Sequence, residues 1–358
     1  MEIDRRVPSF RDWISEADVA SAVGIELGSL AHAARRLADK QDVVHSRTLI
    51  IRGKRRTVHT PHDEGVRQAH LALTGSMELP IATVLRRDTV AHGYIAGRSA
   101  YSNAKSHAGA FWVQQFDIKD FFPSISRRQL VLALIGAGMG ESAAEFVASL
   151  TTRRGSLPLG FVPSPLLSNL VMTDVDIGLD AMARRHGLTV TRYADDITLS
   201  GPAEFDRAVD IDAIVQTSGF SLNSAKSKSG EAGGGVRVTG YLVSTGNPRL
   251  PQHVKRQTRQ DLYSIQHIGV EGQARMRGRA PQSLVRRLLA RLGALKQCEP
   301  LVYERWKRDY PRAFEVLDST RASAVAARAA RLASQERQLL SSPSPPAAYY
   351  IASHPAGG

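Results

Sequence analysis

The sequence has almost no cysteine, and this scarcity limits the kinds of site that the chain can build. Cys298 is the one cysteine among 358 residues, which excludes a disulfide within the chain and any metal site made from several thiolates. Cys298 lies in a stretch with helical spacing, where we interpret it as a packing residue rather than a nucleophile. A single cysteine fits a reducing compartment, so we expect a cytoplasmic protein.

Long apolar runs are also missing. No segment approaches the roughly 20 consecutive apolar residues that a membrane-spanning helix needs. The first 13 residues are charged and lack the apolar core of a signal peptide. The hydrophobic fraction of 42% is nevertheless enough to bury a sizeable core. We therefore expect a globular protein with no membrane partner.

Acidic residues are scarce relative to basic ones. The chain has 34 Asp and Glu against 47 Lys and Arg, a formal net charge of +13. Such an excess favours a polyanionic partner, either nucleic acid or an anionic membrane surface. No strongly amphipathic helix with apolar and basic faces stands out, so we favour nucleic acid.

Apolar periodicity predicts a mixture of helices and strands. Helical patterns precede residue 250 at 1–40, 65–73, 127–137, 141–152, 164–186 and 202–217. Alternating patterns predict strands at 48–51, 56–59, 111–117, 188–193, 197–200 and 236–243. A basic turn joins the first two strands into a hairpin.

Changes in composition predict four regions. Residues 1–46 form an N-terminal helical region, and residues 47–250 carry the motifs described below. Residues 251–318 form a basic helical lobe. Residues 319–358 begin as an Ala/Arg-rich helix and end in a Ser/Pro-rich tail that we expect to be disordered.

Three acids stand at the ends of predicted strands. Asp117 ends one strand, and Asp195 and Asp196 occupy the turn between two others. Nucleotidyl transfer needs such a cluster, because two magnesium ions roughly 3.5–4 Å apart must be held by hard oxygen ligands. Taken alone, an Asp-Asp pair is more often a solvated β-turn, and Asp117 could equally cap a helix.

The sequence around these acids resembles reverse transcriptases. Residues 193–196 read YADD and match the YxDD motif, and residues 116–125 are similar to the first catalytic motif of that family. Residues 157–170 resemble the motif that opens the helix contacting template and nucleotide. Residues 219–226 resemble the palm segment that ends in a lysine. All motifs stand in the family's order within residues 47–250.

The resemblance implies a fold and an activity. The fold is an α+β right-hand polymerase with fingers, a palm made of an antiparallel sheet plus helices, and a helical thumb over 251–318. The activity is RNA-directed DNA synthesis from dNTPs with two Mg²⁺ ions, for which Mn²⁺ can substitute. The implied metal ligands are Asp117, Ile118, Asp195 and Asp196.

Further roles follow from the same resemblance. Lys226 would protonate the leaving pyrophosphate, although it could be an ordinary surface lysine. Arg56, helped by Lys54, would pair with the triphosphate, although the hairpin could be merely basic. Phe122 would lie under the sugar and exclude a 2′-hydroxyl, although it could be a core residue. The implied nucleotide-binding residues are Lys54, Arg56, Asp120, Phe121, Phe122, Leu159 and Gly160.

Two short motifs resemble the retron branch of the family. Residues 103–107 match its NAxxH motif, and residues 238–240 match its VTG triplet. The resemblance implies recognition of a cognate structured non-coding RNA by Asn103, His107, Val238, Thr239 and Gly240. It also implies a branched RNA–DNA product, a separate effector protein and a role in anti-phage defence. Asn103 and His107 could instead be a structural pair, and a VTG triplet can occur by chance.

The basic lobe and the YxDD tyrosine are expected to contact nucleic acid. An RNA–DNA hybrid is bound through its shape and backbone, so lysines and arginines suffice. Each arginine could instead lie on a solvated helix face. The candidates are Tyr193, Arg256, Arg259, Arg275, Arg277, Arg286 and Arg287.

One position departs from the family. Leu159 replaces the glutamine that usually contacts the incoming nucleotide, and leucine cannot form a hydrogen bond there. This departure keeps two alternatives open. One is a defence-associated reverse transcriptase outside the retron group that uses an unusual template, and the other is a catalytically inactive RNA-binding scaffold. The oligomeric state is left open.

Overall fold

The computed structural model describes residues 9–38, 43–51, 54–85, 90–320 and 322–323. The chain divides into two compact units, with the boundary between Pro251 and Gln252. In the described part, none of the helices has the combination of length and apolar character that crossing a bilayer requires.

The first unit begins with helices and a hairpin, as predicted. Helix α1 (Glu16–Val23) starts at a capping box formed by Ser15 and Asp18, and α2 (Leu27–Ala38) follows. Strands β1 (Val44–Ile51) and β2 (Lys54–Pro61) pair antiparallel, and the predicted turn residues 52 and 53 lie outside the described residues. Helix α3 (Glu64–Val84) is longer than predicted and contains Pro80.

A four-stranded antiparallel sheet forms the centre of this unit. Its strands are β3 (Trp112–Asp117), β4 (Thr189–Tyr193), β5 (Asp196–Gly201) and β6 (Lys228–Glu231). Their order is β4-β5-β3-β6. The register places Asp117 directly opposite Asp196, so the predicted acid positions meet at one end of two neighbouring strands.

Helices supply most of the remaining core. They are α4 (Ala100–Ser106), α5 (Phe121–Ser124), α6 (Arg127–Gly136), α7 (Glu141–Thr151), α8 (Ser164–Val171), α9 (Thr173–Arg185) and α10 (Ala208–Thr217). Side chains such as Leu134, Leu150 and Leu179 are fully buried together with Ile197 and Leu199 of β5. The mixture of helices and antiparallel sheet confirms the predicted α+β class.

Three predicted elements were wrong in detail. The helix expected over 164–186 breaks at Met172, where the Thr173 hydroxyl donates to the Leu170 carbonyl at 2.8 Å. The helix expected from 202 begins only at Ala208, because the Asp206 carboxylate accepts the Ala208 N–H and is bonded to Gln114 of β3. Both departures come from side-chain hydrogen bonds that compete with helix geometry.

The third error concerns residues 236–243, which were expected to form a strand. Val238 and Tyr241 exchange backbone hydrogen bonds of 3.0 and 2.9 Å around a two-residue turn. Thr239 and Gly240 both have positive φ, 46° and 93°, which is the backbone of a type I′ turn. The fourth strand of the sheet is instead β6, which precedes the glycine run at 233–235.

The second unit is helical, as predicted. It contains α11 (Gln252–Met276), which is interrupted at Gly269, followed by α12 (Pro281–Cys298), α13 (Pro300–Asp309) and a helical stretch over 311–320. Cys298 is buried, which agrees with a packing role. Most of the expected helix over 319–340, and all of the expected tail, lie outside the described residues.

One fully buried ion pair ties the sheet to the helices. The Arg192 guanidinium on β4 bonds both carboxylate oxygens of Asp176 on α9, and both side chains are almost completely buried. Arg192 also donates to the Asn169 side chain at 3.2 Å and to the Ala194 carbonyl at 3.1 Å. Acceptors from α8, α9 and the turn after β4 therefore surround this buried charge.

Removing one partner of this pair should destabilise the fold strongly. Asp176→Ala leaves an uncompensated buried guanidinium, and we expect the free energy of unfolding to fall by about 3–5 kcal/mol. Asp180→Ala, on the same helix, removes the partly exposed pair with Arg184 and should change the free energy of unfolding by about 0.5 kcal/mol or less. Urea unfolding measures both, and equal losses would contradict the assigned role of Arg192.

Candidate active site

The turn that carries Asp195 joins β4 to β5 through only two residues. Tyr193 pairs with Asp196 across the two strands, which leaves only Ala194 and Asp195 in the turn. Ala194 adopts a left-handed φ of 58°. The Asp195 carbonyl accepts the Ile118 N–H at 2.9 Å. The turn is thereby fixed to the end of β3, beside Asp117.

The three carboxylates differ in exposure. The Asp117 side chain is buried, Asp195 is half-buried and Asp196 is exposed. The Lys226 ammonium forms an ion pair with Asp117, so a positive charge balances the most buried acid. The predicted site residues from three separated segments are therefore brought together.

The segment that carries Lys226 is held against β3 by backbone hydrogen bonds. The Asn223 N–H donates to the Asp117 carbonyl at 2.8 Å, and the Lys119 N–H donates to the Ser221 carbonyl at 2.9 Å. A short 3-10 turn, Ser224–Lys226, then directs the chain back to the acids. The position of the lysine thus follows from pairing with the strand end.

The donor set suits hard divalent cations. Three carboxylates and the Ile118 carbonyl offer only oxygen, the ligand type that Mg²⁺ prefers, and Mg²⁺ is commonly held by one or two carboxylates plus substrate phosphates. Within the described ranges, no three acidic, His or Cys side chains are close enough to hold a metal ion by themselves. The residues therefore fit magnesium ions whose coordination is completed by phosphate and water.

A cleft of about 430 Å³ opens beside the acids. Its lining includes Asp117 and Asp195 together with Arg56 of β2. Phe121 and Phe122, whose ring centroids are 5.3 Å apart, line it as well. The other predicted nucleotide-binding residues at its wall are Asp120 and Leu159, while the Lys54 side chain lies outside the described part.

The β1–β2 hairpin is fixed to the loop before α8. The His59 N–H donates to the Leu159 carbonyl at 2.8 Å. Gly160 has a φ of 107°, and a Cβ at this residue would lie 2.6 Å from the His59 carbonyl oxygen. Glycine at 160 therefore permits the close approach of hairpin and loop, rather than providing a nucleotide-contacting side chain.

Prediction from sequence missed several residues that line the cleft, among them Arg153, Arg154 and Tyr94. Arg153 and Ser156 exchange backbone hydrogen bonds around Arg154 and Gly155, whose φ values are 52° and 80°. The Arg-Gly-Ser run was a usable turn signal. Tyr94 had no comparable signal, because tertiary packing brings it to the cleft.

Arg153 also connects this turn to the hairpin. Its guanidinium lies 3.1 Å from His59 Nδ1 and donates to the Ser46 hydroxyl at 3.3 Å. Partial burial, followed by the charges of Arg153 and Arg154, lowers the pKa of His59. A neutral imidazole can accept the hydrogen bond from Arg153, so the hairpin remains attached near neutral pH.

The VTG triplet lies against α4, the helix that carries most of the other retron-like motif. The Thr239 hydroxyl donates to the Ala100 carbonyl at the start of α4, and the Tyr101 and Tyr241 rings are 5.8 Å apart. Asn103 and His107 are both buried, so direct contact with RNA is not available to their side chains here. Their burial favours the interpretation that they are structural.

His107 illustrates this structural role. Its two ring nitrogens lie 2.7 Å from the Ser200 and Thr191 hydroxyls of adjacent strands. Burial, with a smaller contribution from His92, lowers the pKa of His107 to about 3. The ring is therefore a neutral bridge between α4 and the sheet.

The predicted arginines of the second unit fall into two groups. Arg277 bonds the buried Asp261, and Arg259 donates to the Tyr310 hydroxyl at 3.2 Å, so both have roles within the unit. The others lie on exposed helix positions, namely Arg256, Arg275, Arg286 and Arg287.

Alanine at position 160 should loosen the hairpin. In Gly160→Ala, the left-handed backbone of a residue with a Cβ costs about 1–2 kcal/mol, and the new methyl group also displaces the His59 carbonyl. We therefore expect faster amide exchange at His59. Gly155→Ala is the matched control, because its φ is also positive but a Cβ there meets nothing within 4 Å. Equal exchange rates at His59 in the two variants would contradict this account of the hairpin.

Comparison with known proteins agrees with the motifs and the geometry. Residues 81–243 match the family described as reverse transcriptase (RNA-dependent DNA polymerase). This range contains Asp117, both acids of the turn, and the loop and helix of residues 157–171.

Several individual proteins are also similar to this chain. The retron Mx65 reverse transcriptase of Myxococcus xanthus is 34% identical over 259 residues, covering 65% of this chain and 59% of that protein. The retron Mx162 reverse transcriptase of the same organism is 31% identical, with coverages of 59% and 50%. The retron Ec86 reverse transcriptase of Escherichia coli is 27% identical, with coverages of 59% and 65%.

These matches span half to about two thirds of each relative's length. The matched residues, the motif order and the sheet together confirm the predicted resemblance to retron-type reverse transcriptases and the α+β polymerase fold.

Proposed function

We propose that the protein is an RNA-directed DNA polymerase that extends DNA by nucleotidyl transfer in the cleft beside Asp117. One observation carries this proposal. Asp117 and Asp196 are direct partners across β3 and β5, with Asp195 in the adjoining turn. A cleft with an arginine-lined wall opens at this point. Carboxylates that can bind metal ions and arginines that can bind phosphate oxygens, lining one cleft, suit a metal-bound triphosphate.

Asp117, Asp195 and Asp196, with the Ile118 carbonyl, would hold two Mg²⁺ ions, for which Mn²⁺ can substitute. When bound, such ions lower the pKa of an attacking hydroxyl and stabilise charge on the leaving phosphate. The protein's own contribution is to hold these oxygens at the ends of paired strands, so that little reorganisation precedes the reaction.

Arginines and aromatic residues would position the nucleotide. Arg56 lines the same cleft as the acids, and Arg154 reaches this cleft from a tight turn. A guanidinium offers bidentate hydrogen bonds to phosphate oxygens. Phe122 is largely buried and lines the cleft, where its rigid ring would exclude a 2′-hydroxyl by steric contact.

Lys226 would serve as the proton donor to pyrophosphate. Its ion pair with Asp117 supports this role, because the ammonium lies at the carboxylate that would hold metal. Proton donation by a positioned side chain contributes roughly 10²–10⁴-fold to rate in enzymes generally. Lys226 lines the cleft beside Asp117, where its ammonium would hold the proton to be donated.

The template would be a cognate structured non-coding RNA, and the product a branched RNA–DNA molecule. Similarity to retron reverse transcriptases and the hydrogen bond from Thr239 of the VTG triplet to the first residue of α4, the helix that carries Asn103, support this assignment. The exposed arginines of the second unit would bind the duplex backbone as a thumb. We place the enzyme in the cytoplasm, in an anti-phage defence system with a separate effector protein.

A second candidate is a defence reverse transcriptase outside the retron group. Leu159 favours it, because this side chain lines the cleft and cannot form the hydrogen bond that a glutamine would make. The Leu159 backbone carbonyl is already bonded to His59. Nucleotide selection would then depend on shape rather than on a polar contact at this position.

The nucleic acid that copurifies with the protein distinguishes these functions. The protein is expressed with its native flanking locus, and the bound material is treated with DNase, RNase and a debranching enzyme. We expect debranching-sensitive DNA that is lost in Asp195→Ala/Asp196→Ala. The matched control, Asp174→Ala/Glu204→Ala, removes two exposed acids elsewhere in the unit and should retain the DNA.

Other results would change the assignment. DNA that depends on the two acids but resists debranching would support the second candidate. Wild-type protein that binds RNA but yields no DNA dependent on these acids would contradict the polymerase and favour an RNA-binding scaffold.

A further inference from the structure

Residues 90–94 are pressed along β4 and against the acid-bearing turn. The Arg192 N–H donates to the Val90 carbonyl, and the His92 N–H donates to the Arg192 carbonyl, each at 2.7 Å. The Asn169 side chain donates to the Gly93 carbonyl at 2.8 Å. A Cβ on Gly93 would lie 2.6 Å from the Ala194 nitrogen. The position of the next residue, Tyr94, is therefore set by the same elements that set the turn.

Tyr94 has an unfavourable backbone conformation. Its φ is 61°, in the left-handed region that glycine adopts freely and that bulky residues avoid. Such strain persists where the surrounding structure enforces it, and it is concentrated at functional sites. A glycine or asparagine would occupy this position more easily, so the aromatic side chain itself is the feature that needs explanation.

The ring of Tyr94 stands in the cleft of the carboxylates. It lines that cleft together with Asp195 and Arg56, and its centroid is 6.3 Å from that of Phe122. The side chain remains 46% exposed, although it is a large aromatic group at the centre of the domain. The ring is therefore available to a molecule bound in the cleft.

Tyr94 also lines a second, neighbouring cleft of about 390 Å³. The walls of this cleft are mainly apolar and include Ile81, Leu85, Val162 and Leu166. The ring thus separates a charged space, suited to phosphates, from an apolar space. A nucleotide has the same two parts, a charged phosphate chain and a flat base.

The hydroxyl of Tyr94 is a weaker candidate for the function. Partial burial and the negative charge of Asp195 raise the pKa of Tyr94, so the phenol is neutral at physiological pH. It can neither act as an anionic ligand nor remove a proton readily. The aromatic face therefore remains the group with most to offer.

We propose that Tyr94 is an aromatic platform on which a nucleobase in the active-site cleft stacks. This inference rests on the proposed polymerase function. Every base has a π-face, so stacking tolerates all four bases. The base belongs either to the incoming nucleotide or to the template strand, and the chemistry of recognition is the same. Tyr94 would act as a positioning residue that sets the base relative to Asp195.

Three substitutions at Tyr94 separate the ring from the hydroxyl and from the backbone strain. Tyr94→Phe retains the ring, Tyr94→Leu retains bulk without a π-face, and Tyr94→Gly removes both the side chain and the strain. We expect Tyr94→Gly to melt at or above the wild-type temperature, because glycine adopts this φ without penalty. Loss of function in that variant would then not reflect unfolding.

Binding is measured by equilibrium titration with dNTPs and with a primed RNA template, and KM and kcat by primer extension. We expect Tyr94→Phe to resemble wild type and the other two variants to bind about 5- to 150-fold more weakly, the range for one lost base–aromatic stack. Weaker dNTP binding alone assigns the incoming base. Weaker template–primer binding, with no further loss on a template abasic at the copied position, assigns the template base.

Two results would overturn the proposal. One is binding in Tyr94→Leu and Tyr94→Gly within about twofold of wild type for both ligands. The other is an equal loss in Tyr94→Phe, which would assign the effect to the hydroxyl. The titrations need no turnover, so they decide the role of Tyr94 even if the wild-type protein fails to extend a primer, which would count against the polymerase itself.

Discussion

The buried guanidinium of Arg192 is the interaction on which the candidate active site depends. It holds Asp176 of α9, the Asn169 side chain of α8 and the carbonyl of Ala194 in the turn. Its backbone pairs with residues 90–94. A charge excluded from water is stable only while all of these acceptors stay in place. The turn that carries the acids, the helices and the segment before Tyr94 are therefore parts of one rigid arrangement.

This rigid arrangement holds charged side chains of both signs in fixed positions around the cleft. Three carboxylates at the ends of two strands repel one another, and the ion pair between Asp117 and Lys226 offsets part of this repulsion. The same cleft is also lined by cationic side chains, among them Arg56, Arg153 and Arg154. A triphosphate with its metal ions would complement both groups at once. Binding energy could then be used for orientation rather than for rearranging the site.

Much of the site could be predicted from sequence, because the residues that form it belong to short sequence motifs. Strand endings, the YADD turn and the basic hairpin each have a short-range pattern, and the acids converge because antiparallel pairing aligns them. The start of α10 at Ala208 could not be predicted, since it depends on the Asp206–Gln114 contact. Likewise, Tyr94 enters the cleft through packing on residues distant in sequence. The burial of His107 between α4 and the sheet is another tertiary effect.

The central claim is that Asp117 and the acids of the turn catalyse template-directed DNA synthesis. The most direct measurement uses the purified full-length protein with Mg²⁺, dNTPs and a primed RNA of defined sequence, followed by sequencing of the product. We expect DNA complementary to the template from wild type and from Asp174→Asn, an exposed position on α9, and none from Asp117→Asn. Complementary DNA from Asp117→Asn at the wild-type rate would contradict the account.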